Sequence, residues 1–171
     1  LQGHISLDTI IFPQGTTGYI LDILARRPLW ADGLDYEYAH GVGSFLNVHE
    51  GPFGLGKRPE HDLVPLRAGM VMSNEPGYYA EGKFGIRIEN MDIIRTADTR
   101  GNFLNRGYLE LEHVTMCPIQ SSLVDVALLT APEKAWLNKY HAEVKEKVTP
   151  LLREMKDERA LVWLEKQCKA I

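Results

Sequence analysis

The chain has 171 residues, of which 44% are hydrophobic and 25% charged, and its formal net charge is −4 at pH 7. These values are typical of a globular domain large enough to bury a core, and 19 basic against 23 acidic residues exclude the broad cationic surface that nucleic acid or anionic lipid requires. There is no apolar run of the roughly 18 residues that a membrane helix needs, and there is no signal-peptide pattern. The two cysteines, Cys117 and Cys168, are predicted to be reduced thiols. We therefore predict a cytoplasmic protein without a membrane or nucleic-acid partner.

Two helices are predicted at the beginning of the chain. The first covers the apolar segment from Leu1 to Phe12 and stops before Pro13. The second begins near Thr17 and ends at Pro28, with an apolar face at three- and four-residue spacing. The residues of that face are Tyr19, Ile20, Ile23, Leu24 and Arg27. Because there is no initiator Met and Leu1 falls inside an apolar segment, we expect the chain to be a fragment that lacks an upstream segment.

The middle of the chain predicts a small sheet. From Ala39 to about Val126, glycines and prolines separate short runs of β-prone residues. Loop composition marks 54–64 and 96–105 as connections. The four predicted strands are 45–49, 70–74, 84–94 and 108–116.

The end of the chain is predicted to be helical. Thr130 and Glu133 form a capping box with Pro132 in the first turn. The helix that follows is expected to be interrupted at Pro150, and 151–171 predicts another amphipathic helix. We therefore divide the chain into a core segment, 1–126, and a helical extension, 127–171, in one domain of α+β class.

Four residues within about fifty positions are candidates for chemistry. Each also has an ordinary interpretation, as a packed histidine, a turn residue or a partner in a surface ion pair. Together, in apolar or glycine-rich surroundings, they favour a site for Zn²⁺, Mn²⁺, Fe²⁺ or Co²⁺, because imidazole and carboxylate suit these ions. The candidates are His40, His49, Glu75 and Glu89. Strand alternation would place Arg87 on the same face as Glu89.

Three motifs that contain these residues resemble a known family. The segments 41–52 (GVGSFLNVHEGP), 74–79 (NEPGYY) and 84–90 (FGIRIEN) are similar, in order and spacing, to the catalytic domain of eukaryotic-type Xaa-Pro aminopeptidases, also called aminopeptidase P. The resemblance implies the pita-bread α+β fold and two divalent metal ions, most often Mn²⁺, with Zn²⁺ or Co²⁺ as alternatives. It also implies peptide substrates with proline at the second position, and a homodimer.

The resemblance assigns roles to individual residues. His40, Glu75 and Glu89 would be metal ligands, and Glu75 the general base for the attacking water. His49 would assist proton transfer and contact substrate, and Arg87 would orient the carboxylates. Apart from the resemblance, Tyr78 and Tyr79 follow a Pro-Gly turn, and we expect them either to line the substrate pocket, because a proline ring favours an aromatic surface, or to have a packing role. Glu112, which precedes His113, is a weaker candidate ligand, by analogy with a related metallopeptidase family.

The chain departs from the family pattern in two places. The family has two further metal ligands, aspartates about eleven residues apart, and no two aspartates of this chain have that spacing. The segment from Asp35 to Gly43 is two residues shorter than usual and lacks one histidine. We therefore expect the chain to be inactive by itself. Two alternatives stay open: a non-catalytic peptide-binding module of the same fold, and a prolidase-like dipeptidase.

Overall fold

The computed structural model describes residues 1–36, 41–42, 47 and 50–171. These residues form two compact units, Leu1–Thr115 and Met116–Ile171, which divide upstream of the boundary after residue 126 that the sequence predicts. No helix among the described residues is both long and apolar enough to cross a membrane. The elements of the first unit, in chain order, are α1 (Gln2–Asp8), β1 (Ile11–Pro13), α2 (Gly18–Ala31), β2 (Gly41–Val42), β3 (Val71–Asn74), β4 (Gly77–Ala80), β5 (Phe84–Arg87), β6 (Asn90–Ala97) and β7 (Tyr108–His113).

Five of the described strands form one antiparallel sheet in the order β1-β7-β6-β3-β2, and β4 pairs with β5 in a separate hairpin. The helices α1 and α2 pack closely, since a Cβ atom added at Gly3 would lie 2.2 Å from the carbonyl oxygen of Ala25. The apolar core is continuous from these helices to the sheet. It includes Leu7, Phe12, Leu21, Leu55, Met72, Ile94 and Leu109.

The predicted face of α2 is wrong. Tyr19, Ile20 and Ile23 are 44%, 57% and 53% exposed, whereas the neighbouring face, which carries Asp22 and Arg26, is buried. Two charged residues can replace apolar ones there because they pair with each other and satisfy their hydrogen bonds. The helix also continues through Pro28 to Ala31.

One helix prediction and one strand prediction also need correction. The segment Ile11–Pro13 is not the end of a helix, because it pairs with β7 through Ile11 opposite Glu110 and Phe12 opposite Leu109. The predicted strand 84–94 is interrupted at 88–89, where β5 ends and β6 begins. Of the predicted strand 45–49, only residue 47 belongs to the described part of the chain.

The second unit contains two α-helices, α3 (Ala131–Glu154) and α4 (Glu158–Gln167). The capping box is confirmed, since Thr130 and Glu133 exchange side-chain to backbone hydrogen bonds. The predicted interruption is wrong, because α3 passes through Pro150 and the next helix begins only at Glu158. The Trp136 ring stacks on Tyr140 at 5.3 Å, which agrees with a packing role for both side chains.

Candidate metal centre

Glu75 follows directly after β3 and is a buried carboxylate, only 4% exposed. The hydroxyl of Ser73, also buried, donates a hydrogen bond of 2.7 Å to its Oε1. The end of β3 is fixed by the Asn74 side chain, whose Nδ2 donates to the carbonyl of His4 at 3.0 Å. The carboxylate is therefore held in place at a point where burial without a charged or polar partner would be costly.

Glu89 lies in the break between β5 and β6, where the hairpin leaves the main sheet. Strand register explains its position: Asn74 is opposite Asn90 in the sheet, and Gly77 is opposite Arg87 in the hairpin. Residues 75–76 and 88–89 therefore face each other across this junction, and the Ile88 N–H donates to the carbonyl of Pro76 at 3.2 Å. Glu75 and Glu89, fourteen positions apart in the sequence, meet for this reason.

Arg87 connects the two carboxylates. Its Nη1 lies 3.6 Å from Oε2 of Glu75 and its Nε lies 3.2 Å from Oε2 of Glu89. Partial burial lowers the pKa of Arg87, but Tyr79, Glu89 and Glu75 outweigh that effect and the net shift is upward. The guanidinium thus stays charged while it holds both carboxylates toward the same space.

Tyr79, which the sequence predicts together with Tyr78 to line the substrate pocket, contacts Arg87 in the structure. Arg87 donates a hydrogen bond to its hydroxyl, and its ring covers Gly77 and Gly85, where an added Cβ atom would lie 2.8 Å from Tyr79 atoms in both cases. The sequence signal for this contact is the pair of glycines, because Gly77 lies opposite Arg87 and Gly85 lies opposite Tyr79 in the hairpin register. Tyr78, the predicted pocket residue, points to the other face, where its ring meets Phe84 edge-on at 6.0 Å.

Ile86, the residue before Arg87 on β5, lies outside the apolar core. That side chain is 40% exposed, because β5 belongs to the separate hairpin and not to the core of the sheet. Arg87 itself is 48% exposed. Its role therefore depends on the two carboxylates, not on burial.

The donors present suit a hard divalent cation, since carboxylate oxygens are preferred by Mn²⁺ and accepted by Zn²⁺. Glu75 and Glu89, which both pair with Arg87, could supply two of the ligands of such a site. His40 and His49 lie outside the described residues. Within the described part of the chain, no group of three or more His, Cys, Asp or Glu residues is placed to hold a metal ion. Glu112 does not join the pair, because it is exposed and bonded to Arg95.

Comparison with known proteins places these residues in context. The model of the metallopeptidase family M24 matches residues 1–96, and the model of the C-terminal region of peptidase M24 matches residues 107–171. Proteins named "Probable Xaa-Pro aminopeptidase P" from Laccaria bicolor and Arthroderma otae are 58% and 51% identical over 173 residues, covering 100% of this chain and 27% of each relative.

A solved structure of an X-prolyl aminopeptidase is also similar to this chain. The X-prolyl aminopeptidase from Caenorhabditis elegans, described as a cytosolic enzyme with a di-nuclear active site, superimposes with a TM-score of 0.88 at 43% sequence identity. The match covers 99% of this chain and 27% of that one. The chain thus spans about a quarter of the length of the proteins that it matches.

Proposed function

This chain belongs to metallopeptidase family M24 and has the pita-bread α+β fold, and from that premise we propose that it carries part of the active site of an Xaa-Pro aminopeptidase. The reaction is hydrolytic release of an N-terminal residue that precedes proline. The observation that carries the proposal is the pair Glu75 and Glu89, brought together on Arg87 at the junction of sheet and hairpin. The names of the relatives support the substrate class.

We assign Glu75, Glu89 and His40 as metal ligands, in a site completed by two aspartates that the 171 residues do not supply at the expected spacing. Two divalent ions, which we propose to be Mn²⁺, would supply Lewis acidity and an activated water when bound. The di-nuclear centre of the C. elegans protein supports the number of ions.

The side chains of this chain have separate tasks in the reaction. Glu75 takes the proton of the attacking water, and the Ser73 hydroxyl holds its Oε1 so that Oε2 faces Arg87. Arg87 orients the carboxylates of Glu75 and Glu89 through its ion pairs with both. His49 transfers a proton and stabilises the negative charge that develops on the scissile carbonyl.

The test is peptide hydrolysis by the intact protein in MnCl₂, with a tripeptide that has proline at the second position. Glu75→Gln and Glu89→Gln should each lower kcat/KM by roughly 100-fold or more, since a general base or metal ligand is lost. Glu112→Gln is the matched control, because this glutamate is exposed and forms an ion pair with Arg95, and it should retain wild-type activity. Equal losses in all three variants would contradict the assignment.

Two further measurements separate the alternatives. Turnover of Xaa-Pro dipeptides in preference to tripeptides would indicate a prolidase-like enzyme. An intact protein that holds a peptide but neither Mn²⁺ nor Zn²⁺ would be a non-catalytic module. The chain of 171 residues alone should show no turnover with added Mn²⁺, because three ligands of five bind metal weakly.

The cellular setting belongs to the same proposal. We place the protein in the cytoplasm, as the C. elegans enzyme is described, and we propose a homodimer that has neither a nucleic-acid nor a membrane partner. Sedimentation velocity of the intact protein tests the dimer, and a concentration-independent monomer would refute it.

A further inference from the structure

Asn74, the residue directly before Glu75, is a fully buried amide to which the proposed mechanism gives no role. Successive side chains of a strand point to opposite faces. Ser73 and Glu75 therefore share one face, in agreement with their hydrogen bond, whereas Asn74 points to the other face, toward α1. Asn90, directly after Glu89, is also buried and lies opposite Asn74 in the sheet. Each carboxylate of the candidate centre is thus adjacent in the chain to an inward-facing asparagine, and the two asparagines are cross-strand partners.

Asn74 contacts α1 through both its side chain and its backbone. Its Nδ2 donates to the carbonyl oxygen of His4 at 3.0 Å, an ordinary length for an amide–carbonyl bond. The imidazole of His4 is also fully buried and interacts with the backbone of Asn74. Burial lowers the pKa of His4 to about 4, and this interaction acts in the opposite direction. The last residue of β3 is therefore attached to the helix on two sides.

The helix α1 is itself fixed in place by two further contacts. On one side Gly3 packs against α2, where an added Cβ atom would lie 2.2 Å from the carbonyl oxygen of Ala25. On the other side the carboxylate of Asp8 lies 3.0 Å from Nδ1 of His113 on β7. The acceptor that α1 offers to Asn74 is therefore held by α2 and by the sheet, independently of the residues around the candidate metal centre.

We propose that Asn74 is a positioning residue for the metal centre: its bond to α1 fixes the end of β3 and with it the carboxylate of Glu75. The inference rests on the proposed function, in which Glu75 is a metal ligand and the general base. Consecutive Cα atoms are held about 3.8 Å apart by a planar peptide bond, so a displacement of Asn74 also displaces the backbone of Glu75. A carboxylate that is confined before the metal arrives loses less conformational entropy on binding.

The amide of Asn74 is unfavourable for packing, which supports a role in the site. Its Oδ1 is buried and has no hydrogen-bond partner among the described residues, and an unpaired buried oxygen lowers stability. Leucine has the same branching and would place apolar atoms in this buried position without that penalty. Leucine would, however, lose the directed bond to the carbonyl of His4. Packing by itself therefore favours an apolar residue, and the amide supplies the attachment to α1.

The test compares Asn74→Leu with Asn102→Leu in the intact protein. Asn102 is the matched control because it is exposed, its Oδ1 accepts the backbone N–H of Gly107 at 2.9 Å, and it lies beyond the other end of β6. Mn²⁺ affinity is measured by titrating the metal-free protein with MnCl₂ and following free Mn²⁺ by electron paramagnetic resonance. Asn74→Leu should weaken binding by roughly 10-fold, the lower end for a residue that supports a ligand, and Asn102→Leu should leave it unchanged. Asn74→Ala, which removes the same donor without adding bulk, should weaken binding in the same direction even where Asn74→Leu folds poorly.

Two ligand variants separate positioning from general destabilisation. In a Glu75→Ala protein, Asn74→Leu should produce no further loss of Mn²⁺ affinity, because both changes act through the same ligand. In a Glu89→Ala protein, which keeps Glu75, the loss caused by Asn74→Leu should persist. At saturating MnCl₂, Asn74→Leu should lower kcat and leave KM unchanged, because Glu75 acts on the attacking water. Unchanged Mn²⁺ affinity in both Asn74 variants, or an equal loss in the two ligand backgrounds, would overturn this inference while the proposed function stands. A folded wild-type protein that binds no Mn²⁺ would overturn both.

Discussion

Asp92 offers the sharpest test of the physical description of the sheet. It lies on β6, is fully buried, and neither carboxylate oxygen has a hydrogen-bond partner among the described residues. Burial is the main cause that raises the pKa of Asp92 to about 8, and the nearby charge of Asp8 adds to it, while His113, bonded to Asp8 at 3.0 Å, acts in the opposite direction. Asp92 is therefore protonated in the folded protein at neutral pH.

The sign of the pH dependence follows from the proton count. In the unfolded chain Asp92 loses its proton near the ordinary value of 3.8, whereas the folded protein keeps it up to about 8. Between these values the folded state binds one more proton than the unfolded state, so the free energy of unfolding falls as pH rises, by about 1.4 kcal/mol per pH unit. Over the whole interval the loss is on the order of 5 kcal/mol, from about 1.36 kcal/mol per unit of pKa shift. Above pH 8 this contribution is constant.

Asp92→Asn removes the proton equilibrium and nearly preserves the shape of the side chain. We expect the variant to gain stability relative to wild type as pH rises from 5 to 8, with the slope given above. The assay is urea unfolding of both proteins across this range. A difference in the free energy of unfolding that is the same at every pH would reflect only the packing of the amide. A difference that changes with pH reflects the proton bound by Asp92 in the folded state.

One control variant tests this interpretation, and one further titrating group must be considered. Asp98→Asn changes an exposed aspartate in the loop after β6 and should show no such slope. His4 contributes to the wild-type curve, since burial lowers its pKa to about 4 and stability is then lost as pH falls from 6.5 toward 4; it cancels in the difference between wild type and variant. The reasoning about Asp92 is refuted if the difference in free energy of unfolding between the two proteins does not change with pH, or if wild type becomes more stable relative to the variant as pH rises.

Two further variants test the junction and the helix pair. Ser73→Ala removes the hydrogen bond of 2.7 Å to buried Glu75, and the loss of this donor should lower the free energy of unfolding by about 1–3 kcal/mol. Urea unfolding measures the loss, and Ser122→Ala is the control because Ser122 is exposed. Equal stability of the two variants would argue against the contact. Gly3→Ala places a methyl group 2.2 Å from the carbonyl oxygen of Ala25, so thermal denaturation should show a loss of about 1–3 kcal/mol or more. An added methyl group at Gly101 meets nothing within 4 Å, and Gly101→Ala should unfold like wild type; a Gly3→Ala variant that does the same would show that the helices do not approach closely.

Predictions from local signals agree with the structure where neighbouring residues alone decide the outcome. The capping box at Thr130 and Glu133 forms because a side chain and a backbone N–H three residues away are always within reach at a helix start. The motif around Glu75 and the motif around Glu89 lead to the same family that the comparisons show. Fold class and family thus depend on order and spacing, which the sequence contains.

Predictions that required long-range partners did not agree. The buried face of α2 carries Asp22 and Arg26 because Asp35 and Tyr36 complete their hydrogen bonds, and no helical period indicates those partners. Ile11 and Phe12 form a strand because β7, almost a hundred residues away, presents an open edge to them.

The sequence by itself determined the family, the fold class and the identity of the candidate ligands, since these depend on which residues occur in which order. Only the tertiary structure decided that Glu75 and Glu89 meet on Arg87, because the register at the sheet and hairpin junction places residues 75–76 opposite 88–89. It also decided that Tyr79, and not Tyr78, contacts Arg87, and that Arg26 faces inward. The physical reason is the same in each case: a charged or aromatic side chain packs against a partner that only the folded chain brings close to it.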